Sequence, residues 1–150
     1  MKSFVFRLER VLQLRAREER ERARALGDAV QAEAARRAAL RAAESQLGEV
    51  HEQMKELPGG ALPAGVLQSL GLTLDAAQRQ IEDAREAHEQ ALGSVDAEQG
   101  RYGTARRERR VVERLREIRL TAWRGDVSRR EQQETDGDAL RRHRPGEDPT

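Results

Sequence analysis

Apolar side chains recur along this chain at intervals of seven, and that spacing predicts two long helices that pair with each other. Leu40, Leu47 and Met54 lie seven apart, with Ala43, Val50 and Leu57 forming a second row three residues later. Further on, Leu67, Leu74, Ile81, His88 and Val95 make one row, and Leu70, Ala77, Ala84 and Ala91 the other. Two apolar positions in each seven are the seam positions of a coiled coil, in which each helix hides one stripe against its neighbour. All four prolines, Pro58, Pro63, Pro145 and Pro149, stand outside these rows. A proline inside a helix loses a hydrogen bond and clashes with the preceding turn. The one strong break is therefore the segment 58–65, which reads Pro-Gly-Gly-Ala-Leu-Pro-Ala-Gly. It divides the chain into a first helix over about 3–57, with Ser3 as its N-cap, and a second over about 66–135.

A short loop between long helices favours antiparallel neighbours. With the turn centred near Ala61, contacting residues have numbers that sum to about 122, which sets Leu47 against Leu74 and Leu40 near Ile81. The same register sets Phe4, Leu8 and Val11 against Val111, Leu115 and Ile118, so two separate apolar clusters meet under one register. The expected fold is all-α: a long antiparallel two-helix coiled coil (a helical hairpin) over 1–135, then a flexible, disordered C-terminal tail over 136–150. At 1.5 Å per residue the first helix should be about 80 Å long and the second about 105 Å, so the second overhangs the first beyond about residue 120. Between the clusters the seam is poor. Residues 15–24 and 99–110 offer almost nothing large and apolar, and Gly93, Gly100 and Gly103 fall near there with Gly27 opposite. Each glycine costs about 1 kcal/mol against alanine in a helix interior. These stretches predict a soft waist where the hairpin bends or its helices part.

Composition agrees with a narrow seam. Charged residues make up 37% of the chain and aromatics 3%, too few large side chains to fill a compact core but enough for a stripe between two helices. There is no cysteine, hence no disulfide framework and no thiol chemistry. The N-terminal Met-Lys-Ser-Phe-Val-Phe-Arg meets charge at once and has no apolar run of signal-peptide length. Nothing approaches the roughly 20 apolar residues of a membrane span, so the cytoplasm is the expected location.

The formal net charge of +1 hides a segregation along the hairpin. Residues 1–24 carry eight basic and four acidic groups (+4), and 101–130 carry eleven and four (+7), so the end holding both segments carries about +11. Residues 25–57 carry four basic and six acidic groups (−2), and 66–100 carry two and seven (−5), leaving the loop end at −7. Residues 131–150 add −3, from three basic and six acidic groups. Exposed helix faces are ordinarily charged, but a field concentrated at one end steers that end towards an acidic surface.

Catalytic chemistry is not in view. No G-x-x-x-x-G-K-[ST] loop occurs, and the lysines are Lys2 and Lys55 alone. His51, His88 and His143 lack metal-ligand spacing, and His88, on a core-facing heptad position, reads as a seam residue. The carboxylates stand on solvated faces with no cleft to perturb them. The expectation is a non-enzyme with no catalytic residue, metal, cofactor or small-molecule ligand.

The opening Phe4-Val5-Phe6-Arg7-Leu8-Glu9-Arg10-Val11-Leu12-Gln13-Leu14-Arg15 resembles the start of flagellar export proteins of the FliJ family, which typically read F-x-F-x-L-E-x-V-L-x-L-R. The block Arg109-Arg110-Val111-Val112-Glu113-Arg114-Leu115-Arg116-Glu117 is similar to that family's late V-E-x-L-x-E run, and the likeness spans about 1–135. The resemblance implies an antiparallel coiled coil similar to the γ-subunit stalk of a rotary F-type ATPase, engaging the hexameric flagellar export ATPase and the transmembrane export-gate protein FlhA. Export chaperones are further candidate partners. It implies a peripheral place at the cytoplasmic face of the inner membrane, and a role in motility through protein export. Carried over residue by residue, the ATPase-binding set is Phe4, Phe6, Arg7, Leu8, Arg15, Arg110, Glu113, Arg114 and Glu117. Phe6 lies off the Phe4–Leu8–Val11 stripe of a helix and so reads as a contact residue. The gate-binding set is Leu70, Leu72, Leu74, Ala77 and Ile81; the register buries much of that row and leaves Leu72 on another face. The mechanism implied is coupling: the basic end docks in the ATPase ring and favours its assembly, and the acidic end reaches the gate.

Two readings from other classes stay open at this point. The basic end suits nucleic acid, through sequence-independent phosphate contacts. The poor middle seam and overhanging helix suit a homo-oligomer completed by a second chain. A virulence-type secretion stalk is physically equivalent to the flagellar one. Trp123, just past the seam clusters, suits packing and partner contact equally.

Overall fold

The computed structural model describes residues 3–143. Helix α1 spans Glu9–Lys55 and helix α2 spans Ala64–Arg142. The two are in contact as a helical hairpin, with no strand among the described residues. The first helix starts six residues later than expected, and Ser3 is not its cap. Residues 3–6 are non-helical, and the first turn is set by the Glu9 amide donating to the Phe6 carbonyl at 3.1 Å. Glu9 in the first turn and Lys55 in the last both suit the helix dipole. The reversal follows at 56–63, where Gly60 takes φ +150°, a conformation that a side chain would strain. The Pro63 carbonyl then accepts the Val66 and Leu67 amides at 3.0 and 3.2 Å and starts α2. At the far end α2 continues to Arg142, so residues 136–142 of the expected flexible tail are helical. The Arg144–Thr150 part of that expectation lies outside the described residues.

The hairpin divides into two compact units, one of residues 1–17 with 106–150 and the other of 18–105. The boundary on each helix falls inside the stretches where the waist was expected. Charge follows the same division. Among the described residues the first unit carries sixteen basic and nine acidic side chains (+7), and the second carries ten and sixteen (−6).

In the 18–105 unit the heptad rows form the seam as expected. Ala43 and Ile81 are buried, and Leu40, Leu47, Val50 and Met54 are half-buried, as are Leu70, Leu74, Ala77, Ala84, Ala91 and Val95. Leu57 and Leu67, which flank the turn, are the exceptions and are exposed. The rows also run on through polar positions. Counting back by sevens from Leu40 gives Glu33, one of the four buried residues among those described, and its Oε1 lies 2.8 Å from His88 Nε2. Glu33 and His88 have numbers that sum to 121, one short of the expected register. Arg37 donates to the other Glu33 oxygen at 3.1 Å. Glu98, on the row that continues Leu70 and Ala91, is held by Arg101 through one oxygen while the other is buried and unpaired in the protein.

The unit of 3–17 with 106–143 continues the same repeat. Tyr102 ends the row in the neighbouring unit, and the next positions by sevens, Arg109, Arg116 and Trp123, are all half-buried here, with Val112 on the second row. Arg15 binds Glu108 at 2.8 Å and Arg116 binds Glu9 at 3.2 Å across the helices. Those numbers sum to 123 for 15 and 108, and to 125 for 9 and 116. Four expected seam residues are exposed: Val111 at 70% and Ile118 at 53%, both off the rows, and, more marginally, Leu8 at 39% and Val11 at 37%. Leu115 is half-buried as expected, and Val112 and Arg116 are half-buried beside it.

The N-terminal segment explains a further difference. Phe4 does not lie against Ile118; its ring packs on Trp123 at 5.9 Å between centroids, tilted by 53°. Extended backbone advances about 3.3 Å per residue against 1.5 Å for a helix, so a non-helical 3–6 reaches further along α2. Trp123 therefore packs within the chain. From Glu131 to Arg142 every residue but Gly137 is exposed, which puts the start of the overhang near residue 130 and not 120.

Candidate partner-binding surfaces

All nine residues expected to face the ATPase belong to the basic unit, but they are placed in three different ways. Phe4, Phe6, Arg7 and Leu8 line a cleft of about 700 Å³, together with Leu115, Arg119, Trp123 and Arg130 of α2. Phe6 is half-buried and Val5 is the exposed member, contrary to the expectation that Phe6 stands off the apolar stripe. The reason is period. Residues 3–6 are not helical, and the alternation of half-buried Phe4 and Phe6 with exposed Val5 fits a period of two, in which residues two apart share a face.

The second group is structural. Arg15 is bound to Glu108, and Glu113 is half-buried and accepts from Arg109 at 2.6 Å. The third is open to solvent: Arg110 is exposed, and Arg114 and Glu117 pair on the surface at 2.9 Å. Surface pairs of this kind contribute little to stability, which leaves the two charges free to serve a partner.

The gate-facing set divides likewise within the acidic unit. Leu70, Leu74 and Ala77 are half-buried and Ile81 is buried, so these four hold the hairpin together. Leu72 is 61% exposed. It borders a shallow groove of about 590 Å³ between the helices, whose walls include Val50, Gln53, Thr73 and Ala76. Of the five, Leu72 alone offers an apolar side chain to a partner.

Arg119, Trp123 and Arg130 were not among the expected site residues. For Trp123 the signal was present, since it lies four sevens after Val95 on one seam row. The arginines carried none, because their convergence depends on where the non-helical N-terminal segment lies. Among the described residues no group of His, Asp and Glu side chains is placed to hold a metal ion, and no helix is long and apolar enough to cross a membrane.

No curated protein and no solved structure matches the chain. Residues 3–147 match the family described as Flagellar FliJ protein, nearly the whole sequence, and the chain belongs to that family.

Proposed function

We propose that this chain is a non-enzymatic coupling element whose basic unit docks on the hexameric flagellar export ATPase and whose acidic unit engages the export gate. Membership of the family makes it a flagellar type III export component. The observation that carries the finer reading is the segregation of charge by unit, +7 against −6 among the described residues, with all nine expected ATPase-facing residues on the positive one. A surface of that charge attracts an acidic ring and is repelled by a basic one. Binding by the basic unit across neighbouring subunits would favour the assembled ring, since any ligand that prefers one state shifts the equilibrium towards it. The site of action on this reading is the cytoplasmic face of the inner membrane, beside the gate protein FlhA.

The test is titration of the purified chain into the export ATPase from the same organism, following ATP hydrolysis and hexamer content. Saturable stimulation with more hexamer is expected. An active ATPase that neither binds nor responds at low salt would overturn the reading. For the gate, Leu72→Ser should weaken binding to the FlhA cytoplasmic domain about tenfold, the usual order for removing one exposed apolar anchor worth about 1.4 kcal/mol. Helicity should stay unchanged, because Leu72 is outside the seam. Unaltered gate binding in pull-down titrations would remove Leu72 from the interface.

A further inference from the structure

The cleft in the basic unit combines two features that protein interiors seldom leave together. Its floor is apolar, built from Phe4, Phe6, Leu8, Leu115 and Trp123. Its rim carries Arg7, Arg119 and Arg130, and no carboxylate lines it among the described residues. Six other arginines of the unit are matched, Arg15 with Glu108, Arg109 with Glu113, Arg114 with Glu117, Arg116 with Glu9, Arg129 with Asp126 and Arg141 with Asp138, and those that are not, such as Arg110, do not line an apolar cleft. The three rim arginines have no such partner among the described residues. Three guanidinium groups around an aromatic floor are complementary to carboxylates flanking an apolar side chain. The volume, about 700 Å³, suits one or two such side chains and not a long strand.

We propose that this cleft binds an acidic peptide segment of a partner protein, with one leucine-like or phenylalanine-like side chain seated on the Phe4–Trp123 pair and its flanking carboxylates held by Arg7, Arg119 and Arg130. The proposal deepens the docking reading above and rests on it for the identity of the partner, the export ATPase. The reason to prefer peptide over nucleic acid is the floor. Phe4 and Trp123 are half-buried and packed on each other at a tilt, whereas single-strand binding needs aromatic faces open for stacking along a basic track. Arginine is suited to the task because its planar fork pairs with a carboxylate through two hydrogen bonds.

The probe is a fluorescein-labelled peptide Asp-Glu-Leu-Asp-Phe-Glu-Asp, compared with one in which Leu and Phe are Ser, titrated into the full chain. The expected result is saturable binding of the first, at least tenfold weaker binding of the second, and at least tenfold weakening by Arg119→Glu with Arg130→Glu. The same charge change by two reversals in the acidic unit, Arg41→Glu with Arg79→Glu, should leave peptide binding within twofold. Equal affinity for the two peptides, or equal loss with the Arg41/Arg79 variant, would overturn the cleft as the site, showing general charge attraction instead. Tighter binding of a single-stranded oligonucleotide that competes with the peptide would overturn it in favour of nucleic acid. Co-sedimentation of the same variants with the ATPase separates the two claims. Peptide binding with no ATPase binding supports the cleft and sinks the docking partner. ATPase binding unchanged by Arg119→Glu with Arg130→Glu, and no peptide binding, sinks the cleft and spares the docking reading.

Discussion

Arg110→Glu combined with Arg114→Glu should slow association with the export ATPase by about 10–100-fold at low ionic strength, with the deficit shrinking as salt is added. The two substitutions change the basic unit from +7 to +3 among the described residues, since each reversal removes two charges. Both side chains are exposed, and the one ion pair disturbed, Arg114 with Glu117, lies on the surface. Folding should therefore change by under about 1 kcal/mol. Arg116 belongs to the same basic run but is a poor choice for this test. It binds Glu9 across the helices, and a glutamate there would face another carboxylate, so lost binding would be indistinguishable from a weakened hairpin. Stopped-flow association at several salt concentrations gives the answer directly. A rate that is unchanged at low salt, or a deficit as large at high salt as at low, would show that long-range attraction to these arginines does not guide docking.

How much of this was legible in the sequence depended on which residues occupied the seven-residue repeat. Where the rows hold Leu, Ile, Val, Met and Ala, the seam is legible, and the register expected from it lies within one residue of the Glu33–His88 and Arg15–Glu108 pairs and within three of Glu9–Arg116. Where the rows hold Glu33, Glu98, Arg109 and Arg116, the same repeat continues but does not look like a core, and around Arg109 it looks like a gap in the seam. A two-helix seam permits this because no position is enclosed on all sides: long charged side chains lay their stems along the interface and keep their ends near water. The displacement of Val111 and Ile118 has the same origin. They are apolar but out of phase with the rows. The N-terminal segment failed for a different reason. Phe-x-Phe-x-Leu fits a helical stripe badly and an extended one well, and only the absence of helix at 3–6 shows which period applies. The reach of Phe4 to Trp123, and with it the cleft, follows from that local choice.

The polar seam itself can be tested by asking what Glu33 and His88 contribute. Glu33 is 9% exposed and touches both His88 and Arg37. His88→Leu should destabilise the hairpin by about 1–3 kcal/mol in chemical denaturation, because it leaves a buried carboxylate oxygen without its partner across the seam. Glu33→Leu with His88→Leu should be neutral or more stable than the parent by about 1–4 kcal/mol, because two apolar groups then fill adjoining seam positions with no desolvation cost. The two single effects would therefore fail to add, which is the signature of a coupled pair in a double-mutant cycle. Stability is not the reason to retain such a pair. Alanine-rich rows such as Ala77, Ala84 and Ala91 would pack nearly as well after a slip of one heptad, whereas a carboxylate with one histidine opposite is satisfied in a single register. Since the chain has no cysteine, spin labels introduced at Leu26→Cys and Val95→Cys, positions that sum to 121 like 33 and 88, report that register as a distance. A single narrow distance in the parent and a broad or two-peaked one in the double-leucine variant would assign register selection to the Glu33–His88 pair. A narrow distance in both would show that the apolar rows and the turn at 56–63 fix the register by themselves.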